Sequence, residues 1–259
     1  MSQTVGRIAA LRRYPVKGLS PEALEAIDVL PGQPIAGDRS FAIENGPSGF
    51  DPAAPAFIPK QRFLCLMKNA RLAGLSTAFD LASSTLTVRR GEDMALTADL
   101  SSEDGRAATA AWFTAFMDGE LNGPVAVLPA PGGHTFSDTA KGVLSLINHA
   151  SVRAVGEMVK AAVDPLRFRG NLEIEGFDAW EELDWAGREL VSGEVRMTVV
   201  KRTVRCAATN VNPATAERDL KIPATLMKGL GHADCGVYVE VTAPGRLEVG
   251  APIALAAAA

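Results

Sequence analysis

Glu194-Val195-Arg196-Met197-Thr198-Val199 alternates polar and apolar side chains, and Ser192-Gly193 just before it offers a hairpin turn. A period of two places alternate residues on opposite faces of a sheet, so the stretch reads as a strand with one face on a core. The run continues through Val200-Lys201-Arg202-Thr203-Val204-Arg205-Cys206, then breaks into Ala207-Ala208-Thr209-Asn210-Val211-Asn212-Pro213, a loop rich in Thr, Asn and Pro. One thiol therefore stands at the end of a strand. Nearby cations favour the thiolate, the nucleophilic and metal-binding form of cysteine. A free cysteine also serves as a small buried apolar filler, and the local pattern leaves both readings open.

Val237-Tyr238-Val239-Glu240-Val241-Thr242 alternates in the same way. Ala243-Pro244-Gly245-Arg246 after it is turn chemistry, and Leu247-Glu248-Val249 reads as the returning strand. Short strands are expected around 39–43, 85–89, 94–97, 125–128 and 172–174. Two helices are expected. One covers 107–121, with Trp112, Phe113, Phe116 and Met117 on one face and Gly119 suggesting an early end. The other covers 151–163, capped by Ser151, with Val152, Val155, Met158, Val159 and Ala162 at spacings of three and four before Pro165. Many short strands with few helices predict a mainly β, α+β fold: barrel-like or sandwich architecture with packed helices. The polar stretch 99–106 marks a seam, which divides the chain into 1–105 and 106–259. The Pro- and Gly-broken stretch 44–59 is a loop.

The 259 residues are 47% hydrophobic and 22% charged with a formal charge of −4, an ordinary globular balance with no general attraction to nucleic acid. No secretory signal and no run of about 18 to 20 apolar residues is visible, so no membrane span and a cytoplasmic location are expected. Cys65, Cys206 and Cys235 are odd in number and lack CxxC pairing, which gives no support to a disulfide framework, a four-cysteine zinc site or an iron–sulfur cluster bound by this chain. Cys65, between two leucines, reads as core, while the loop of Cys235 can approach a pocket. His134, His149 and His232 lie at no metal-ligand spacing, and GxSxG, GxxxxGK[ST], GxGxxG and HExxH are absent.

What remains is a set of cations and amides in loops next to strands: Lys17 in Tyr14-Pro15-Val16-Lys17-Gly18, Arg39 in Gly37-Asp38-Arg39, and Arg169 with Asn171 before Leu172. Together with Arg205-Cys206 they can serve an anionic, hydrogen-bonding ligand, since Arg forks suit phosphate. Taken in order, YPVK at 14–17, GDR at 37–39, FSDT at 136–139, INHAS at 147–151, RFRGN at 167–171, RCxxTxVxP at 205–213 and GVYxEV at 236–241 resemble a MOSC protein, named for the C-terminal domain of molybdenum-cofactor sulfurase. The resemblance covers nearly the whole chain. It includes the N-terminal β-barrel segment found in the mitochondrial amidoxime-reducing component and its bacterial relatives, and implies an N-terminal β-barrel domain followed by a MOSC β-barrel domain.

The resemblance implies a molybdopterin-type cofactor with Cys206 as the protein thiolate on molybdenum, a soft-ligand pairing that suits the metal. It further implies that Lys17, Arg39, Arg169 and Asn171 hold the pterin and phosphate, with Asn148, Ser151, Arg205 and Thr209 near the same cavity. Many relatives continue YPVK with Ser where this chain has Gly18, and carry an acidic residue where this chain has Asn212, a position expected to share in catalysis. The implied activity is an oxidoreductase that reduces N-hydroxylated small molecules. Its electrons come from a separate ferredoxin- or flavin-reductase-like donor protein. The alternative is a non-redox carrier of the molybdenum cofactor, or a sulfur-transfer protein using a Cys206 persulfide filled by a desulfurase partner.

Overall fold

The computed structural model describes residues 4–139 and 142–257. In chain order the elements are β1 (Val5–Arg13), β2 (Glu22–Leu24), β3 (Ala26–Val29), β4 (Phe41–Ile43), β5 (Leu75–Asp80), β6 (Thr85–Arg90), β7 (Asp93–Asp99), α1 (Glu103–Phe116) and β8 (Val127–Pro129). There follow β9 (Leu144–Asn148), α2 (His149–Val159), β10 (Leu172–Glu175), β11 (Glu189–Ser192), β12 (Val195–Val204), α3 (Ile222–Leu230), β13 (Asp234–Ala243), β14 (Gly245–Glu248) and β15 (Pro252–Leu255).

Strand β1 closes a ring. Its start pairs with β15 and its middle with β10, so β10-β9-β13-β12-β11-β15-β1 returns on itself as a seven-stranded barrel, with β2 added to the far end of β1. The alternation read in the sequence is the inside–outside pattern of this barrel. Val195, Met197 and Val199 of β12 face Val237, Val239 and Val241 of β13 in one apolar core with Ile8, Leu172, Ile174 and Trp185. Closure leaves the ring no unpaired edge.

A second apolar cluster joins the three-stranded sheet β5-β6-β7 to α1, with Phe79, Leu86, Val88, Phe113 and Met117 at its centre. Helix α1 starts earlier than 107 because the polar stretch before it supplies the cap. The Ser102 side chain accepts from the Gly105 amide, and Glu103 and Asp104 sit in the first turn, where the helix dipole favours them. The expected division after residue 105 thus falls inside a helix that packs with β5, β6 and β7.

Helix α2 begins at His149 with Asn148 as its cap, so Ser151 lies within the helix instead of capping it. Helix α3 was missed by pattern reading: Lys221 before it makes no side-chain cap and Pro223 stands in its first turn. Strand β14 pairs with β3, where the sequence suggested a return to β13. Residues 45–59 form no strand or helix, as expected. No described helix is long and apolar enough to cross a membrane.

Candidate functional site

At one end of the barrel β12 runs out at Val204, and Arg205-Cys206 turns into a single 3-10 turn, Ala207–Asn210. The turn is held by the Thr209 hydroxyl, which donates to the Cys206 carbonyl at 2.9 Å. Arg218 fixes the following excursion by donating to the carbonyls of Ala207, Leu66 and Met67. Here opens a cavity of about 320 Å³ whose walls include Lys17, Arg39, Arg169, Asn171, Arg205, Cys206 and Thr209. Seven of the ten residues picked out in the sequence therefore meet at one place.

Among the three thiols, Cys206 is half-buried on this wall. Cys65 also borders the cavity but is 6% exposed, and burial pushes its thiol up. Cys235 lies in the apolar cluster with Ile147, Val152 and Leu226, where burial pushes it up to about 12, so its loop does not bring the thiol to the cavity.

The chain is net negative, yet eight Lys and Arg residues line the cavity against two carboxylates, Asp38 and Asp138. Lys17 Nζ donates to the Phe136 carbonyl at 2.8 Å and to Asp138 at 2.7 Å, and Lys60 takes the other Asp138 oxygen at 2.7 Å. Burial lowers Lys17. Lys60 is raised despite its burial, by the pull of Asp138 and of Cys206. Arg39 pairs with Asp38 at 2.5 Å, and Asn171 fixes that pair by donating to Asp38 at 3.2 Å and to the Arg12 carbonyl at 3.1 Å.

The remaining cations are less well matched. Arg169 donates to the Leu19 carbonyl at 2.9 Å and meets no carboxylate; burial and the neighbouring Arg39 bring it down to about 10. Arg205 donates to the carbonyls of Cys235 at 2.6 Å and Phe168 at 2.9 Å, while its Nη2 is buried without a partner and burial lowers the guanidinium. Arg167 pairs with Asp219 at 2.8 Å, leaving its buried Nε without a partner. Buried donors without acceptors cost free energy unless a ligand satisfies them.

Three picked residues lie elsewhere. Asn148 and Ser151 turn to the buried Glu182, donating to it at 3.0 and 2.8 Å; burial raises this carboxyl. Asn212 lies in the loop beyond the 3-10 turn, where it donates to Asp219 at 2.8 Å and accepts from the Ala214 amide. Pattern reading missed Lys60, Asp138 and Arg167 as site residues. Asp138 and Arg167 stand inside the quoted FSDT and RFRGN motifs, so a signal existed; Lys60 has none. A second cavity of about 360 Å³ shares Gly18, Leu66, Arg167, Arg169 and Ala208 with the first and is lined otherwise mostly by apolar groups such as Leu72, Leu75 and Val211.

Residues 5–124 match the family model of the MOSC N-terminal beta barrel domain, and residues 132–254 that of the MOSC domain. The chain belongs to the MOSC proteins. It is 31% identical over 122 residues to mitochondrial amidoxime reducing component 2 from Rattus norvegicus, covering 42% of this chain and 36% of that protein. To the Homo sapiens protein of the same name it is 30% identical over 122 residues, with the same coverage of 42% and 36%. The match thus spans little more than a third of these relatives. Among solved structures, the YUAD protein from Bacillus subtilis aligns over 98% of this chain and 97% of its own at 10% identity with a TM-score of 0.46. YiiM from Escherichia coli aligns over 45% and 55% at 22% identity with a TM-score of 0.34.

Membership of the MOSC proteins ties the chain to molybdenum-cofactor-associated function, and the cavity can be tested for such a group. Among the described residues no cluster of three or more His, Cys, Asp or Glu could hold a metal ion, so a metal here needs most of its ligands from outside these side chains. Cys206 offers one sulfur, Arg205 keeps an unpartnered Nη2, and Arg169 has no carboxylate partner, so both guanidiniums can donate to an anion. The donor set fits an anionic cofactor that brings most of its own metal ligands. Gly18 fits too: at φ 87 a Cβ would come 2.7 Å from the Leu64 carbonyl, so a serine there would be strained in this backbone.

Proposed function

We propose that this protein is a molybdenum-cofactor-dependent oxidoreductase that removes oxygen from N-hydroxylated compounds such as amidoximes or hydroxylamines. The reading rests on one observation: a half-buried thiol, Cys206, shares a cavity with buried guanidiniums that have no carboxylate partner. The bound cofactor would supply two-electron oxygen-atom chemistry, with Cys206 as protein ligand to its metal. Arg169 and Arg205 would bind its anionic end, and Lys17 and Lys60, tied through Asp138, would hold positive charge over the thiol side. The apolar cavity beside the cleft would take the substrate's apolar body.

Reduction of N–OH to N–H and water consumes two electrons and two protons. The chain's three cysteines are too few for an iron–sulfur cluster of its own, so the electrons come from a separate donor protein. Protein expressed in a cofactor-competent host should carry near one molybdenum per chain by elemental analysis and turn over N-hydroxylated substrates with a chemically reduced dye. Cys206→Ser should lose the metal. Wild-type protein that carries molybdenum and shows no turnover across such a panel would leave a cofactor-binding protein and remove the reductase reading.

A further inference from the structure

Tyr14 is 1% exposed, and two guanidiniums lie on its ring: Arg39 at 4.5 Å and Arg169 at 4.2 Å from the centroid. Both arginines hold left-handed backbone, φ 49 and φ 54, a conformation that costs a non-glycine residue free energy and is kept where the surroundings over-determine it. The Arg39 side chain is bound to the segment of the other, since Arg39 Nη2 donates to the Arg169 carbonyl at 3.2 Å. Tyr14 itself lies between the two segments. Its hydroxyl donates to the Gly170 carbonyl at 3.3 Å, and its amide donates at 2.8 Å to Asp38, the carboxylate that neutralises Arg39. Two like charges brought together in a buried place repel; the negative face of an aromatic ring offsets part of that. The result is one compensated arginine and one uncompensated arginine, oriented by one ring and lining the same cleft.

We infer that Tyr14 is a positioning residue that sets Arg39 and Arg169 as a single receptor for a phosphate-type dianion. It acts through its ring face and not through its hydroxyl. The inference rests on the reading that the cleft receives an anionic ligand, and it names the residue that makes the cleft selective for that end.

The test uses inorganic phosphate as probe, measured by calorimetry on the full chain free of molybdenum cofactor, with the molybdenum content of protein from a cofactor-competent host read in parallel. Tyr14→Phe keeps the ring and should bind phosphate within about twofold of wild type, while Tyr14→Leu should weaken binding about tenfold or more, the loss of roughly one cation–π contact. Arg169→Met should weaken binding comparably, and Tyr14→Leu added to it should cost less than about twofold more, because the ring acts through that arginine. Additive losses, or Tyr14→Phe as weak as Tyr14→Leu, overturn the inference. Where Tyr14→Leu does not fold, phenylalanines of increasing fluorination at position 14 keep the shape while draining the ring face of negative charge. Affinity should fall stepwise along that series, and a flat series overturns the inference, as does a wild type that binds no phosphate at millimolar concentration. A wild type that binds phosphate in this pattern but carries no molybdenum supports the role of Tyr14 and removes the functional reading instead.

Discussion

Two buried polar clusters border the barrel strands, and they differ in how they end. Around Glu182 the network closes on itself: its carboxylate accepts from Asn148, Ser151 and the Gly236 amide, Asn148 also donates to the Asp178 carbonyl, and the Ser151 oxygen accepts from the Trp180 amide. Even the backbone is fitted to it, for Gly236 at φ 74 has no room for a Cβ, which would meet the Leu146 carbonyl at 2.3 Å. The cleft cluster stays open, with Arg205 Nη2 and Arg167 Nε unpartnered and Arg169 facing no carboxylate. Buried polar residues quoted from the same ordered set of motifs thus do opposite work. A closed network holds the fold; an open one costs stability until a ligand completes it.

The largest expected effect sharpens this contrast. Glu182→Ala strands the Ser151 hydroxyl and the Gly236 amide inside the protein and should cost about 3 kcal/mol in denaturant unfolding, with molybdenum per folded chain unchanged. Arg169→Met should do the reverse: ligand-free stability moves by less than about 1 kcal/mol, because one hydrogen bond is lost as an unpaired buried charge is removed, while molybdenum content falls several-fold. If Glu182→Ala empties the cleft while remaining as stable as wild type, the division between the two clusters breaks.

How much of this was legible follows from which side chains have their surroundings written nearby. Val195, Met197 and Val199 show their face through alternation alone, because a one-sided core imposes period two. Closure of the barrel is not written locally, since β1 meets β10 and β15 only after most of the chain has passed, and nothing in Val5–Arg13 names either partner. In the site, Cys206, Arg169 and Lys17 were legible from motif and turn chemistry. Asn148 and Ser151 were expected near the same cavity, yet their direction depends on Glu182, more than thirty residues downstream in an unmarked stretch. Lys60 was invisible for the same reason, as its place is set by Asp138, 78 residues away.

A smaller effect concerns the one carboxylate that closes part of the open cluster. Burial alone would raise Asp138, but Lys17 and Lys60 together hold it well below its ordinary value of 3.8. A carboxyl depressed on folding contributes stability that is fully present above its ordinary value and is lost as pH falls from there through the lower value held in the folded protein. Wild type should therefore lose stability on acidification through that range. Asp138→Asn should be less stable at neutral pH, and its melting temperature should converge on that of wild type in acid. Parallel curves at all pH values would mean that the two lysines do not depend on Asp138.

The smallest effect is expected at Asn212, and it bears on whether the excursion after Cys206 belongs to the open cluster or merely borders it. Its amide donates to the Asp219 oxygen that also receives Arg167, so Asn212 reaches the cleft only through that pair. Asn212→Asp keeps the cap on the Ala214 amide and turns the contact with Asp219 into a repulsion between two partly exposed carboxylates, shared by one guanidinium. Solvent screening at such a place limits the cost to below about 1 kcal/mol, and the cost should vanish as the carboxylates protonate. With an N-hydroxylated substrate kcat/KM should change by less than about threefold, a barrier shift too small for a group acting on the reacting atoms. A tenfold change in kcat at constant KM would instead place position 212 in the chemistry, and would require the loop 207–221 to bring it to the cavity when substrate binds.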